Sequence, residues 1–455
     1  MVLPLHLHRH LLPLLPLFLL LSISTFPTTA VVLAATTAPV TKYHLYASHY
    51  NGHIYSLSLE SNNNATYSLS LSSSLKTCGL MPSWLTFDAA TRTLYCSDES
   101  WEGGIGSLTA LAVDVDHQGD GSGGSGNLTE LAKTNTPVGG VSNVVYSSAD
   151  GRKFIAVAHY QGSALSTFEL PLRPDAPALQ TFTYTLPKPG ADPSRQDAPH
   201  PHQVLLDPTG SFLLSPDLGA DLVRVYAVNA TSGRLNECPG IAFAAGSGPR
   251  HGVFWNPDSA ANLAVVADPG MGKRSVEDTM LFVASELGNT VTAFSVSYSK
   301  NATCLSFNQT QSLTPYPPDH NNGKGIPPGA SLAEILARDH SLYVSVRNDH
   351  AFQPANNDSL ATLSLSDSPD ETQQTTVTFQ RLTSSHGKVP RTFAINKAGD
   401  LVAVGNQASS TVVIIKRDPK TGELLGDDGV VASLDVGEPG TPGTAQGLSS
   451  IVWGE

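Results

Sequence analysis

The sequence predicts an all-β fold, a seven-bladed β-propeller closed by pairing of its N- and C-terminal strands. Three observations predict it. Seven short apolar runs, at residues 45–49, 94–98, 155–159, 213–217, 282–286, 343–347 and 402–406, each end in a polar residue. They recur roughly every 50 to 70 residues, as in a propeller whose strand-and-turn repeats carry insertions. The composition agrees: 39 Gly and 32 Pro supply turns, and only 14% of residues are charged. Finally, the first run has no innermost strand before it, while the C-terminal end supplies an unpaired run at 449–453. Joining the two completes a ring and removes the exposed edges of an open array.

Each repeat reads as a set of hairpins. A first strand precedes the landmark run through a tight turn: 144–146 before Ser148-Ala149-Asp150-Gly151, 203–206 before Asp207-Pro208-Thr209-Gly210, and 393–395 before Asn396-Lys397-Ala398-Gly399. Asp, Asn and Gly tolerate the backbone angles that such turns need. Third strands follow the landmarks at 222–226, 290–294 and 411–415, and fourth strands fall at 180–184 and 376–379. Two stretches fit no blade, 114–126 and 257–280, and are read as insertions.

Residues 1–34 stand apart. His6, His8, Arg9 and His10 precede an apolar run at 11–23 that is short and broken by Pro13 and Pro16. This is the pattern of a secretory signal cleaved near Ala34 or Ala35, and not of a membrane span. A single propeller domain at 35–455 is expected outside the cell or in its wall, as a monomer. Secretion makes the sequons at Asn64, Asn127, Asn229, Asn301, Asn308 and Asn357 candidate glycosylation sites. It also favours disulfides, and proximity along the repeat pairs Cys78 with Cys96 and Cys238 with Cys304.

The net charge of −13 excludes a nucleic-acid partner, which needs a basic surface. No Gly-x-Ser-x-Gly segment occurs, so a nucleophile-elbow esterase is disfavoured. No cofactor or metal is expected. His200 and His202 are spaced to share one side of a strand but lack a third ligand, and a calcium-like run from Asp114 has Ser125 where a bidentate Glu belongs.

In a blade the first strand leaves one face of the disc and the second returns to it. Residues just before first strands and just after second strands therefore meet at one end of the central channel. Here they include His200, His202, Arg250, His251 and Arg391, with His49, Asp98, His159, Asp217, Glu286 and Arg347. Arginines grip carboxylate or phosphate through a planar fork, and a nearby Glu or His can move a proton. The expected partner is a small anionic lactone or carboxylate. Asp217 and Asp221 are read as braces of the blade turn.

These residues carry a family resemblance. The segments His200-Pro201-His202-Gln203, Gly248-Pro249-Arg250-His251, Ser285-Glu286-Leu287-Gly288-Asn289 and Pro390-Arg391-Thr392-Phe393, followed by Asn406-Gln407, resemble the seven-bladed lactonase family. That family includes bacterial 6-phosphogluconolactonase and the fungal 3-carboxy-cis,cis-muconate lactonising enzyme. The resemblance implies that His202, Arg250, Glu286 and Arg347 are catalytic, and His200, His251, Arg391 and Gln407 are read beside them as substrate-binding residues. The Arg347-Asn348-Asp349-His350 loop departs from the Arg-Gly-His pattern common in the phosphogluconolactonase-like members, which points to a different substrate. The implied function is a secreted lactonase or cycloisomerase using metal-free acid–base chemistry on a carboxylated lactone or muconate-type acid. The competing class is a non-catalytic extracellular glycoprotein that uses the propeller face for adhesion.

Overall fold

The structure, a computed structural model, describes residues 41–61, 66–101, 104–114, 125–257, 278–299, 303–320, 325–366 and 375–455. The signal reading over 1–34, the sequons Asn64 and Asn301, and most of both insertions with the calcium-like run lie outside the described residues. Among the described residues no helix is long and apolar enough to cross a membrane.

Seven four-stranded antiparallel sheets make up the ring. Blade 1 contains β1 (Thr41–His49), β2 (His53–Ser61) and β3 (Tyr67–Lys76). Blade 2 has β4 (Pro82–Asp88), β5 (Thr93–Asp98), β6 (Gly106–Val113) and β7 (Leu128–Thr136). Blade 3 has β8 (Gly140–Ser147), β9 (Lys153–His159), β10 (Ala164–Glu169) and β11 (Gln180–Thr183). Blade 4 has β12 (Leu205–Leu206), β13 (Phe212–Asp217), β14 (Leu222–Val228) and β15 (Leu235–Ala242). Blade 5 has β16 (Pro249–Trp255), β17 (Met280–Ser285), β18 (Thr290–Ser297) and β19 (Ser306–Leu313). Blade 6 has β20 (Ser331–Arg338), β21 (Ser341–Arg347), β22 (Ser359–Ser366) and β23 (Thr376–Ser384). Blade 7 has β24 (Pro390–Ile395), β25 (Leu401–Asn406), β26 (Thr411–Lys416) and β27 (Val430–Asp435).

The last strand, β28 (Leu448–Trp453), is the innermost strand of blade 1. It pairs antiparallel with β1, the pairing the sequence predicts, in a register that places Leu45 opposite Trp453 and His49 opposite Leu448. The Trp453 indole donates to the Ala394 carbonyl of blade 7 at 2.9 Å, so the closing strand is also tied to its neighbour.

All seven landmark runs are second strands, and the core explains why they are apolar throughout. Among the described residues, seven buried apolar clusters each occupy one interface between adjacent blades. Because strand side chains alternate in direction, Leu213 packs towards blade 3 while Leu214 packs towards blade 5. Leu281 and Phe282 likewise face opposite neighbours. Both faces are dry, so the usual polar alternation disappears.

The two disulfides are those the sequence predicts, Cys78–Cys96 and Cys238–Cys304. The first joins the link between blades 1 and 2 to β5, and the second ties β15 of blade 4 to the approach to β19 of blade 5. Among the sequons, Asn127, Asn229 and Asn308 are exposed, whereas Asn357 is half-buried with its backbone N–H and C=O both bonded to Phe352.

Candidate functional site at the channel mouth

Each first strand begins with a bulge. In β16, Pro249 pairs with Ser285 and His251 with Ala284, which leaves Arg250 as the extra residue. The same shift leaves Ser449, Ser83, Val141 and Arg391 unpaired in blades 1, 2, 3 and 7, while in blade 6 Ala333 and Glu334 together face Ser345. In blade 4 the extra residue is His202, between the Pro201–Asp217 bridge and the Leu205–Leu214 pair. A bulge turns its side chain out of the sheet, here towards the channel mouth. Four of these residues, Ser83, His202, Arg250 and Arg391, directly follow a proline. Proline suits the first position of a strand because it has no N–H to pair.

Blade 4 is the most distorted. Pro216 stands where the ladder would donate an N–H to the Gln203 carbonyl, and Ser215 Oγ makes that bond instead at 2.7 Å. This explains why β12 shrinks to two residues.

A second ring lies against the bulges. The N–H of Tyr50, Glu99, Tyr160, Leu218, Glu286 and Gln407 each donates to the carbonyl two residues before its blade's bulge, at 2.7–3.0 Å. Arg347 takes the matching place in blade 6, paired with Ser331. The sequence reading is therefore one residue early in blades 1 to 4 and correct for Glu286, Arg347 and Gln407. Strand alternation sends the preceding residues, which were read as part of the rim, into the blade turns. His49 bonds Ser410 and the Glu438 carbonyl, Asp98 accepts from Met81 N–H, and His159 bonds Ser166. Asp217 and Asp221 are braces as expected: Asp217 accepts from His200 and Ala220 N–H, and Asp221 from Gly246 and Gly248 N–H. Gly248 is required there, since its φ is +58° and a Cβ would lie 2.5 Å from Leu287 Cγ.

The four residues predicted to be catalytic come together. Glu286, 4% exposed, holds Arg250 Nε at 2.8 Å and Arg347 Nη2 at 3.0 Å through Oε2. Its Oε1 accepts from Arg195 Nη2 at 2.7 Å. Burial alone would raise the Glu286 pKa, but Arg347, Arg195 and Arg250 outweigh it and hold the carboxyl well below its usual range. Glu286 is thus a fixed anion that positions guanidinium groups. His202 is also buried, and burial followed by the charges of Arg250, Arg391 and Arg347 pushes its pKa far down, leaving a neutral imidazole.

Arg250 Nη1, Arg347 Nε and His202 Nδ1 are buried with no partner among the described residues. Arg391 lies 5.6 Å over the Tyr50 ring and 3.9 Å from Glu99, whose Oε2 accepts from Tyr50 and Ser83 hydroxyls at 2.8 Å. His251 pairs with Glu334 at 2.8 Å. Four guanidinium groups here face the three carboxylates Glu99, Glu286 and Glu334, so one anionic group would balance the cluster.

Two predicted binding residues are already occupied by the protein. His200 stacks on Tyr160 at 4.1 Å, with Nδ1 donating to the Tyr160 carbonyl and Nε2 on Asp197. Gln407 donates to the Thr444 and Gln446 carbonyls. Sequence reasoning missed Tyr50, Glu99, Tyr160, Glu334 and Arg195. Arg195 comes from the Pro- and Asp-rich stretch before His200, where buried Gln196 anchors the chain by donating to the Leu218 carbonyl.

Fold and mouth together define a seven-bladed propeller with an arginine-rich polar site at one end of its channel. Residues 44–441 match the model of the family described as Lactonase, 7-bladed beta-propeller, and the chain belongs to that family. It is 28% identical over 360 residues to a probable 6-phosphogluconolactonase of Arthroderma benhamiae, covering 79% of this chain and 78% of that one. It is 25% identical to 6-phosphogluconolactonase of Bacillus subtilis over 345 residues, or 75% and 82% of the two chains. Among solved structures, the periplasmic gluconolactonase of Pseudomonas aeruginosa shares the fold, with a TM-score of 0.65 and 23% identity over 91% of this chain and 99% of that one.

Proposed function

We propose that the protein is a secreted hydrolase that opens a small lactone bearing a carboxylate. The observation that carries this reading is the set of buried donors left unpartnered, Arg250 Nη1 and Arg347 Nε, beside neutral imidazole at a mouth one negative charge short of balance. Guanidinium N–H groups fixed by Glu286 are suited to a substrate carboxylate and to the oxyanion that forms as water attacks the acyl carbon. The bond from acyl carbon to ring oxygen then breaks, and the departing oxygen takes up a proton, giving a hydroxy acid. A neutral imidazole can shuttle that proton, whereas Glu286 is too firmly ionised to do so. Secretion is supported by the N-terminal apolar run and the two disulfides. A muconate-type acid presents the same carboxylate to the same arginines, so it belongs in the substrate panel.

The test is turnover by purified secreted protein of carboxylated, phosphorylated and neutral lactones and of muconates. We expect carboxylated lactones to be preferred. Arg250→Ala should lower kcat/KM about 100-fold, with Arg250→Lys recovering only part, because Lys keeps the charge but loses the fork. Equal rates for neutral and carboxylated lactones, or an unaffected Arg250→Ala, would refute the reading.

A further inference from the structure

His251 has a partner that His202 lacks. Its Nδ1 lies 2.8 Å from Glu334 Oε1, with both side chains buried. An ionised carboxylate can only accept, so Glu334 selects the tautomer with the proton on Nδ1 and leaves Nε2 as the basic position. That Nε2 has no partner among the described residues. Glu334 is itself fixed, since its backbone N–H donates to Ser345 Oγ at 2.9 Å and its Oε1 accepts from Ile335 N–H. The His251 ring makes T-shaped contacts with two others, His202 at 5.2 Å and Trp84 at 5.4 Å. Around His202, by contrast, the charged groups that act most strongly are Arg250, Arg391 and Arg347. A proton placed there would add to a cluster of cations.

We propose that Glu334 and His251 form the proton-carrying dyad of lactone opening, a proposal that rests on the function proposed above. As the water oxygen bonds the acyl carbon, its proton passes to His251 Nε2. When the acyl carbon–ring oxygen bond breaks, the same proton moves onto the departing oxygen and the dyad returns to its starting state. Glu334, 2.8 Å from Nδ1, stabilises the imidazolium formed between the two transfers. His202 remains neutral and serves as a hydrogen-bonding group beside the arginines. The charge environment agrees: burial lowers the pKa of both histidines, and at His251 the hydrogen-bonded Glu334 opposes that shift against Arg250 and Arg391.

The experiment pairs histidine NMR with kinetics on the 15N-labelled secreted protein. His251→Asn and His202→Asn assign the imidazole signals, and Glu334→Gln, nearly isosteric, tests the dyad. We expect His251 as the Nδ1–H tautomer near neutral pH, titrating above His202, with Glu334→Gln lowering its midpoint by about one unit. On a lactone that the wild type turns over, Glu334→Gln should lower kcat about 100-fold, shift the acidic limb of the pH profile and leave KM nearly unchanged. An Nε2–H tautomer, a His202 midpoint above that of His251, or a Glu334→Gln variant with wild-type kcat and pH profile would overturn the dyad while leaving the lactonase reading intact. A wild type without turnover across the panel would overturn both.

Discussion

At the scale of single residues, the mouth separates two tasks that the sequence presents as one list of polar groups. Glu286 spends its charge on three arginines, while the imidazoles stay neutral through burial. Burial of neutral histidine also has a consequence for stability. His159 is fully buried among blade 3 strands, and burial pushes its pKa down to about 3, against a weaker opposing pull from the Pro137 carbonyl. Between about 3 and 6.5 the unfolded chain binds this proton and the folded chain does not, so the stabilisation is complete above pH 6.5 and declines as pH falls. The slope is about 1.4 kcal/mol per pH unit for one such group. Melting temperature should therefore drop between pH 6.5 and 5, and His159→Gln should show a shallower drop. Parallel curves for the two proteins would contradict the assignment.

At the scale of elements, the second strands were legible and the mouth was only half so. Leu213–Leu214 and Leu281–Phe282 announce themselves because blade packing dries both faces of a strand. Tyr50, Glu99 and Tyr160 were not legible, because a one-residue offset at a strand end depends on the bulge opposite it, and bulges leave no pattern of period two. Pro followed by a polar residue, as in Pro201-His202 and Pro249-Arg250, is the trace they do leave. Arg195 and Glu334 act through contacts with other blades, Arg195 on Glu286 and Glu334 on His251, which no local signal records. The disulfides also act between elements. Cys238–Cys304 closes a sequence separation of 66 residues and pins blade 4 to blade 5 at the outer edge. Replacing both cysteines with Ala should cost about 2 to 4 kcal/mol in urea unfolding and speed hydrogen exchange in β19. Unaltered exchange there would mean that the bridge is not what holds that edge.

At the scale of the whole molecule, closure of the ring rests on one strand. β28 buries Leu448, Ile451 and Trp453 against blades 1 and 7, and the Gly447 carbonyl receives the Tyr50 N–H. Burial of three such side chains is worth roughly 5 kcal/mol, and deletion also leaves the paired edge of β1 open. Removing residues 447–455 should therefore lower the melting temperature of the entire domain and broaden its transition, as followed by calorimetry. A truncated chain that melts like the full one would show that the ring is held by other contacts.

The antiparallel register of that closure also sets a direction. β1 starts at Thr41 far from the mouth and ends beside it at His49, while β28 starts opposite His49 and runs back until Trp453 faces Leu45. Thr41 and Glu455 therefore both leave the disc on the side away from the arginines. Protein coupled to a resin or electrode through Glu455 would present every mouth to the passing solution, an orientation set by the register of the closing strand.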